Sequence, residues 1–229
     1  MAMDSVRLIT FDCYGTLIDW EKGMLQAMRP LFGNHDTAHD IELLALYGDV
    51  ELELESGSYM RYRQVLSNTV QEMGRRLDLR ITQEDGERFA ESLITWEPFP
   101  DTVAALQRLA ARFRLGVISN TDDDLFAETK KKLVVDFDPL VTAQQVKSYK
   151  PSHRNFEEML RRAALPKEQI LHAAQSVLHD VIPGTELGLR TVWVNRPSIR
   201  PGAGATKAAL SKPTFEVHSM SALADLMLA

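Results

Sequence analysis

The order of apolar patterns along this chain of 229 residues restricts its fold more than any other feature. A short apolar run at Val6–Phe11 has the length and composition of a buried strand. Residues 21–95 then show helical periodicity with almost no strand signal, and strands alternate with helices after residue 100. Alternating strands and helices predict a parallel sheet covered on both faces. The sequence therefore predicts an α/β fold, a Rossmann-like parallel sheet with an inserted all-helical cap.

The inserted block is predicted to contain four helices, with Thr82 as the N-cap of the last. These helices are Glu21–Leu31, Asp40–Glu55, Tyr59–Leu77 and Gln83–Thr95. Further helices are predicted after the cap at Asp101–Arg112, Asp123–Lys132, Arg154–Ala164 and Val181–Leu187. Further strands are predicted at Leu115–Ser119, Leu140–Thr142, Ile170–Ala174 and Thr191–Val194.

These patterns divide the chain into two predicted domains. Residues 18–96 form the cap, and residues 1–17 and 97–229 form a discontinuous core. Ile18–Glu21 and Trp96–Pro100 would be the hinges between them. Arg196–Ala205 is rich in proline and glycine, which predicts a surface loop.

Composition excludes several classes of protein. The net charge of −6 is unfavourable for binding nucleic acid or an anionic membrane, because nothing would offset phosphate repulsion. The single cysteine, Cys13, excludes an intramolecular disulfide and a cysteine-based zinc site. No apolar stretch approaches the length that spans a membrane. We therefore expect a cytoplasmic protein that binds neither nucleic acid nor membrane.

Polar side chains follow four of the predicted strands. Asp12 ends the first strand, Ser119 and Asn120 end the second, Lys150 lies beyond the third, and Asp180 follows the fourth. In parallel sheets the ligand site lies beyond the carboxyl ends of the strands. We therefore expect these five residues to converge on one site.

Their chemistry is that of nucleophilic catalysis. A desolvated carboxylate held in line with its target is a competent nucleophile. A neighbouring lysine favours the ionised form of that carboxylate, and hydroxyl, amide and backbone N–H donors can bind a substrate carboxylate. A second carboxylate can orient or deprotonate a hydrolytic water.

Four motifs in this order resemble those of the haloacid dehalogenase superfamily. They are Asp12-Cys13-Tyr14-Gly15-Thr16, Ser119-Asn120, Lys150-Pro151 and the acid Asp180. One of these motifs alone would be weak evidence for the superfamily, whereas four motifs in this order at strand ends are specific evidence for it. The resemblance covers nearly the whole chain, including the position of the cap, and implies a hydrolase.

Two positions distinguish metal-dependent from metal-free members of that superfamily. Most members are Mg²⁺-dependent phosphatases with one aspartate two residues after the nucleophile and another after the fourth strand. Tyr14 and Gln175 stand at these positions here, and a neutral glutamine lacks the charge that a hard dication requires. Tyr14 is what the metal-free 2-haloacid dehalogenases have. The resemblance thus implies no metal and no cofactor, with a Mg²⁺-dependent phosphatase as an alternative.

The resemblance also assigns catalytic roles. Asp12 would attack C2 of a small carboxylate substrate and form an ester with it. Lys150 would steady the carboxylates, and Asp180 would assist the water that cleaves the ester.

Six further residues are assigned to substrate binding. Thr16 and Ser119 would form hydrogen bonds in the site, with Asn120 supporting them, and the backbone N–H groups of Cys13 and Tyr14 would hold the substrate carboxylate. Phe156 stands where the family has a tyrosine in the site. The predicted binding residues are Cys13, Tyr14, Thr16, Ser119, Asn120 and Phe156.

The cap departs from the dehalogenase pattern. Those enzymes place an arginine early in the cap to receive the halide, whereas residues 30–60 here contain no arginine or lysine. They contain Asp36, Asp40, Glu42, Asp49, Glu51, Glu53 and Glu55. An acidic run such as 49–55 is typical of a solvated helix face, but it could also receive a departing amine.

A second resemblance bears on this choice. Phe11–Glu21, Ser148–Pro151 and His179–Pro183 are similar to the azetidine-2-carboxylate hydrolases, which open a strained cyclic amine. A halide and an amine therefore both stay open as leaving groups. Related dehalogenases are often dimers, which suggests a homodimer.

Overall fold

One sheet of six parallel strands forms the centre of the part of the chain that the structure describes. The computed structural model describes residues 5–33, 36–202, 204, 206, 207 and 209–229. The strands are β1 (Leu8–Phe11), β2 (Arg114–Ser119), β3 (Leu140–Thr142), β4 (Ile170–Ala174), β5 (Arg190–Val194) and β6 (Phe215–Val217). Their order is β3-β2-β1-β4-β5-β6, and every neighbouring pair is parallel. The predicted α/β class is confirmed.

The helices fall into two groups along the chain. Between β1 and β2 lie the cap helices α1 (Trp20–Phe32), α2 (Thr37–Glu55), α3 (Tyr62–Arg76) and α4 (Gln83–Ser92), followed by α5 (Thr102–Ala110). Later in the chain come α6 (Asp123–Leu133), α7 (Ala143–Val146), α8 (His153–Ala163), α9 (Ile182–Glu186) and α10 (Met220–Leu228). None of the helices in the described ranges combines the length and apolarity needed to cross a membrane.

Both faces of the sheet are covered, as a continuous apolar strand requires. Ile9 and Phe11 of β1 belong to the large hydrophobic core, which also contains apolar side chains of α5, α10 and the cap helices. Leu8 faces the opposite side, in a smaller core with Phe156 and Met159 of α8. The sheet is therefore held between two layers of helices, with its carboxyl edge left for a site.

Local capping interactions fix the cap helices and tie them to the core. Thr82 caps α4 as predicted, because its Oγ1 accepts a hydrogen bond from the N–H of Asp85 at 3.2 Å. At the start of α3 the hydrogen-bond acceptor comes from the core domain. The carboxylate of Asp122 accepts hydrogen bonds from the N–H groups of Tyr62 and Arg63 at 3.1 Å each. Orphan donors at a helix N-terminus favour such a carboxylate. This contact joins cap and core beside the site.

The two chain crossings between cap and core lie side by side. The N–H of Asp19 donates to the carbonyl of Glu97 at 2.9 Å, and the N–H of Phe99 donates to that of Leu17 at 3.1 Å. Ile18 and Pro98 form an antiparallel bridge. The crossings coincide with the predicted hinges, while the domain boundaries and any hinge motion stay predictions.

Two features differ from the sequence predictions. β6, α7 and α10 lie where no element was predicted, since α7 has only four residues and the α10 segment is apolar around most of its circumference, which hides its helical periodicity. The surface loop predicted at Arg196–Ala205 is wrong at its first residue, since Arg196 is 6% exposed and its guanidinium donates to the carbonyl of Thr16 at 2.9 Å and to Asp101 at 2.7 Å. Ala203 and Ala205 lie outside the described residues.

Candidate active site

The strand ends bring the predicted catalytic residues together. Asp12 directly follows β1, Ser119 ends β2, and Lys150 lies in the loop between α7 and α8. Asp180 lies in a π-helical turn, Val177–Val181, that separates β4 from α9. Because β1, β2 and β4 are adjacent and parallel, these segments meet at one edge of the sheet.

Lys150 is the centre of the arrangement. Its Nζ donates to Asp12 Oδ1 at 2.8 Å, to Asp180 Oδ1 at 2.7 Å and to the carbonyl of Ile118 at 3.0 Å. The lysine side chain is 2% exposed, so one buried ammonium joins two buried carboxylates. Burial disfavours the ammonium, but Asp12 and Asp180 together raise the pKa of Lys150 above its usual value. The lysine is therefore charged at neutral pH.

The two carboxylates differ in their titration. Burial raises the pKa of Asp12, and the ammonium of Lys150 and the hydroxyl of Thr16 counter that effect. Burial acts on Asp180 as well, but Lys150 and His172 bring the pKa of Asp180 below its usual value. Asp180 is thus held as an anion, whereas Asp12 is less solvated and therefore more nucleophilic when ionised.

A tight turn after β1 orients Asp12. The Thr16 hydroxyl donates to Asp12 Oδ2 at 2.7 Å and accepts from the N–H of Gln175 at 2.9 Å. Gly15 permits this turn, because its φ is +91° and a Cβ there would lie 2.8 Å from Nε1 of Trp20. Both oxygens of Asp12 therefore have fixed donors, one from Lys150 and one from Thr16.

The same turn presents backbone donors beside the nucleophile. Among the described residues, no acceptor is bonded to the N–H of Cys13 or of Tyr14. The Cys13 side chain is fully buried in the core, and the Tyr14 hydroxyl is bonded to Thr129 at 2.9 Å. Burial raises the pKa of Tyr14. Tyr14 therefore stays a neutral phenol, and these two residues can serve a substrate through their backbone.

Ser119 and Asn120 have separate tasks. The Asn120 side chain clamps the Lys150 loop, since its Oδ1 accepts from the Lys150 N–H at 2.7 Å and its Nδ2 donates to the Lys150 carbonyl at 3.1 Å. The Ser119 hydroxyl is buried and has no partner in the described part of the chain. Ser119 therefore retains a donor for a ligand, while Asn120 positions the lysine.

Phe156 lies apart from the other predicted residues. It is fully buried in α8, and its ring meets the His172 ring edge-on with centroids 5.3 Å apart. It does not line the cavity beside Asp12. The structure therefore places Phe156 against His172, which is bonded to Asp180, and outside the lining of the cavity.

A small cavity of about 30 Å³ lies between the strand ends and the cap. This volume accommodates about two water molecules. The described lining residues are Asp12, Tyr14, Trp20, Glu51, Glu55, Tyr62, Ser119, Asn120, Lys150, Ser176, His179, Asp180 and Thr206. Two of its unpartnered buried atoms, His179 Nε2 and Asp180 Oδ2, can bind a ligand or a water.

A role for His172 was not predicted from the sequence. This buried histidine of β4 bridges Thr10 and Asp180, with its Nδ1 2.9 Å from Thr10 Oγ1 and its Nε2 3.0 Å from Asp180 Oδ1. A titratable residue inside an otherwise apolar strand was the available signal. His172 fixes the orientation of Asp180.

The acidic run of α2 divides between the two alternatives that the sequence left open. Glu51 and Glu55 line the cavity, where they can meet a ligand. Their spacing carried the signal, because Glu51 continues the stripe of the buried Leu44 and Tyr47 of α2. The prediction of a solvated face holds for the exposed Asp49 and Glu53 alone.

The residues at the site do not fit the Mg²⁺ of metal-dependent superfamily members. The Lys150 ammonium already bridges the two carboxylates that a dication would need. Gln175 does not line this cavity, and Tyr14 supplies no carboxylate. Among the described residues, no group of three or more His, Cys, Asp or Glu side chains is arranged as a metal site. We therefore derive no step through a metal.

Known proteins are similar to this chain in sequence. An (S)-2-haloacid dehalogenase of Pseudomonas putida is 26% identical over 234 residues, which cover 99% of this chain and 98% of that protein. A glyceraldehyde 3-phosphate phosphatase of Methanothermobacter thermautotrophicus is 32% identical over 151 residues, which cover 63% of this chain and 65% of that enzyme.

Solved structures show the same architecture. An L-2-haloacid dehalogenase of Xanthobacter autotrophicus with chloropropionic acid covalently bound superposes with a TM-score of 0.82 at 17% identity, covering 98% of this chain and 99% of that one. Residues 6–173 also match the family described as haloacid dehalogenase-like hydrolase. This chain therefore belongs to the haloacid dehalogenase-like hydrolases.

Proposed function

We propose that this protein is a metal-independent hydrolase of the 2-haloacid dehalogenase type, which displaces a leaving group from C2 of a small carboxylate. One observation carries the proposal: a single buried ammonium bridges Asp12 and Asp180 beside a small cavity. This arrangement supplies a desolvated nucleophile, a second carboxylate and the charge that balances them, without a metal.

In the first half of the reaction, Asp12 attacks C2 of the substrate. One of its oxygens bonds to that carbon as the leaving group departs with its electron pair, and an ester forms. The free N–H groups of Cys13 and Tyr14 and the Ser119 hydroxyl are the donors available for the substrate carboxylate. They would hold C2 in line with Asp12.

In the second half, water attacks the carboxyl carbon of the Asp12 ester. Lys150 and Thr16 each bind one oxygen of Asp12, and the donor on the oxygen that stays a carbonyl in the ester would stabilise the developing oxyanion. The Oδ2 atom of Asp180 has no partner among the described residues and can accept the proton of the attacking water. The hydroxy acid leaves and the Asp12 carboxylate is restored.

The relatives support this assignment at different levels. The dehalogenase of Pseudomonas putida is similar over nearly its whole length, whereas the phosphatase is similar over about two thirds. The neighbour with chloropropionic acid covalently bound is consistent with an ester route. A Mg²⁺-dependent phosphatase was the second alternative from the sequence, and the residues at the site do not favour it. A homodimer and a cytoplasmic location stay predictions.

A substrate panel measured with and without chelator tests the proposal. The panel contains 2-chloropropionate, fluoroacetate, azetidine-2-carboxylate and a phosphate monoester. We expect turnover of a 2-substituted carboxylate that EDTA does not reduce. Loss of turnover in EDTA with recovery in Mg²⁺, or activity on the phosphate ester alone, would contradict it.

A second candidate, hydrolysis of a C–N bond as in azetidine-2-carboxylate, differs only in the leaving group. The carboxylates on the cap side of the cavity favour it.

A further inference from the structure

The cavity is short of positive charge for an anionic substrate. Four carboxyl groups line it, those of Asp12, Asp180, Glu51 and Glu55. Lys150 is the one lysine or arginine among the described lining residues, and it is already bonded to Asp12 and Asp180. A substrate carboxylate adds one more negative charge, and like charges close together favour the protonated form of an acid. We therefore expect an acid on the cap side to carry a proton when substrate is bound.

Glu51 is the cap acid that has an oxygen left for a ligand. It is 4% exposed, and the hydroxyls of Tyr47 and Tyr62 both donate to its Oε1, at 2.8 and 2.9 Å. No described residue donates to its Oε2. By contrast, both carboxyl oxygens of Glu55 lie 3.3 Å from Nδ2 of Asn120. Glu51 can therefore meet substrate directly through Oε2.

The two tyrosines determine which oxygen of Glu51 carries a proton. Burial raises the pKa of Glu51 to about 7, and the two tyrosine hydrogen bonds oppose that effect without cancelling it. Because Oε1 accepts from both hydroxyls, Oε1 is the carbonyl oxygen of the protonated acid and Oε2 bears the hydrogen. The acid form of Glu51 thus presents an O–H donor to the cavity.

No free cation faces Glu51 from the described elements around it. The titratable groups that face it directly or across the cavity are Tyr47, Glu55, Tyr62, Tyr149, Asp12, Lys150, His179 and Asp180. Burial lowers the pKa of His179 to about 4, so its ring is neutral at pH 7. Lys150 is held by the two aspartates. A proton is therefore the positive charge available to Glu51.

An in-line displacement directs the leaving group toward this proton. Asp12 follows β1 at the strand ends, and Glu51 belongs to α2 of the cap, on the other side of the cavity. The leaving group departs from the side of C2 opposite the attacking oxygen. Departure therefore proceeds from the strand ends toward the cap, where Oε2 of Glu51 is free.

Resting on the proposed function, we propose that Glu51 is the general acid of the displacement and donates its Oε2 proton to the departing atom. A cation attracts any departing anion, whereas a proton donor helps most when the departing atom is a strong base and hydrogen-bond acceptor. The substrate class is therefore a small carboxylate whose C2 substituent leaves through such an atom. Tyr47 and Tyr62 are positioning residues, because they act through Glu51.

The reaction balances without a further reagent. An oxygen of Asp12 bonds to C2, the bond to the leaving group breaks with its electron pair on the departing atom, and that atom takes the proton of Glu51. Water then adds to the carboxyl carbon of the Asp12 ester, and the hydroxy acid is released. The proton left over as Asp12 returns to a carboxylate restores the Glu51 acid. The net change converts substrate and water to hydroxy acid and protonated leaving group.

Proton uptake on binding tests the protonation of Glu51 in an Asp12→Asn background, which stops turnover. The probe is 2-chloropropionate, titrated by calorimetry at pH 6 and pH 8 in buffers of different ionisation enthalpy. Because the pKa of Glu51 is about 7, we expect uptake of about one proton per ligand at pH 8. The Kd at pH 8 should be about tenfold weaker than at pH 6.

Glu51→Gln keeps a hydrogen-bond donor at this position but has no proton to gain. Added to Asp12→Asn, it should bind the probe at both pH values as Asp12→Asn alone does at pH 6, with no proton uptake. Glu42→Gln, at an exposed position of the same helix, should retain the uptake. Uptake that persists in Glu51→Gln, its absence in Asp12→Asn alone, or no measurable binding would overturn the role of Glu51.

Turnover of fluoroacetate and chloroacetate tests transfer of the proton, because fluoride is a much stronger base than chloride. With Asp12 intact, Glu51→Gln should lower kcat for fluoroacetate at least about 100-fold and kcat for chloroacetate by a smaller factor, with little change in KM. Equal losses of kcat for the two acids would contradict proton donation.

The pH profile of kcat/KM gives a second readout. In the wild type it should fall as pH rises through about 7, where Glu51 loses its proton, and in Glu51→Gln it should not. Tyr62→Phe removes a donor from Oε1 and should move this fall to higher pH. A purely structural tyrosine would lower activity without moving it, which would contradict the positioning role.

Asp12→Asn separates the role of Glu51 from the proposed function. Turnover that persists in Asp12→Asn would refute the ester route, whatever Glu51 does. Loss of turnover in Asp12→Asn, together with a pH profile that Glu51→Gln leaves unchanged, would refute only the role of Glu51.

Discussion

The two walls of the cavity differ in whether their buried carboxyl groups have a cation beside them. On the core wall, Lys150 lies within 2.8 Å of both Asp12 and Asp180, and further hydrogen bonds from Thr16 and His172 complete the network. On the cap wall, Glu51 has only two tyrosine hydroxyls as donors among the described residues, and no cation. The charges of the core wall are balanced without a ligand, whereas the carboxyl group of Glu51 on the cap wall has no cation beside it among the described residues.

This difference separates chemistry from specificity. The core wall contains every group that the ester route requires, and its residues match the motifs at the strand ends. The cap wall contains the departures from the dehalogenase pattern. We therefore expect the core wall to define the reaction and the cap wall to select the leaving group.

The largest expected effect comes from the nucleophile on the core wall. Asp12→Asn should reduce kcat/KM by on the order of 10⁴-fold or more, because an amide is far less nucleophilic than a carboxylate. Circular dichroism should show an intact fold, since the amide keeps the size of the side chain. A folded variant with a near-normal rate would contradict the assignment, once mass spectrometry has excluded deamidation to aspartate.

Removing the cation should show how tightly the core wall is balanced. Lys150→Met leaves two buried carboxylates unpaired and should lower the free energy of unfolding by roughly 3–5 kcal/mol in urea titrations. Lys130→Met, which breaks the exposed pair with Asp136, should change it by less than about 1 kcal/mol. Equal effects of the two substitutions would mean that the core wall is not an electrostatic unit.

On the cap wall, the stability of the protein should fall as Glu51 ionises. Its pKa is about 7 in the folded protein and 4.5 for an ordinary glutamate. Between these values the folded state binds more protons than the unfolded state, so the free energy of unfolding falls as pH rises, by on the order of 3 kcal/mol. The groups that face Glu51 directly or across the cavity are Tyr47, Tyr62, Glu55, Asp12, Lys150, His179 and Asp180.

The comparison of wild type with Glu51→Gln isolates this contribution. Urea unfolding at pH 5 and pH 8 should show the variant gaining stability relative to wild type at the higher pH. A difference between the two proteins that does not vary with pH would mean that Glu51 has an ordinary pKa or a cation beside it.

The smallest expected effect concerns the free hydroxyl of Ser119. Ser119→Ala should raise KM roughly tenfold through loss of one hydrogen bond to the substrate carboxylate, and should leave stability nearly unchanged. Ser211→Ala, at an exposed position, is the matched control. A fall in kcat with KM unchanged would instead assign Ser119 to the chemical step.

The sequence predicted the core wall better than the cap wall for a physical reason. Asp12, Ser119, Lys150 and Asp180 follow strands, and parallel strands bring their carboxyl ends together whatever the intervening loops do. Glu51 acquires its role from the packing of α2 over the site, which local pattern does not specify. An acidic helix face is usually solvated, and only the spacing from Leu44 and Tyr47 distinguished the buried glutamate.

Contacts that support the catalytic residues from behind could not be predicted from the sequence either. His172 and Thr10 meet because their strands pair in register, and Arg196 reaches Thr16 across 180 residues of chain. Phe156 aligned with a family tyrosine yet packs behind His172. The position of a motif therefore predicted which residues lie at the carboxyl edge of the sheet. The direction in which each side chain points could be seen only in the folded structure.

The central claim is that an oxygen of Asp12 reaches the product, and oxygen tracing tests it most directly. Single-turnover hydrolysis is run in ¹⁸O-labelled water with enzyme in excess over the preferred substrate from the panel. The account predicts that the first product carries unlabelled oxygen and that mass spectrometry finds the label in the peptide containing Asp12. Label in the first product, with none in that peptide, would show direct attack by water and reduce Asp12 to a general base.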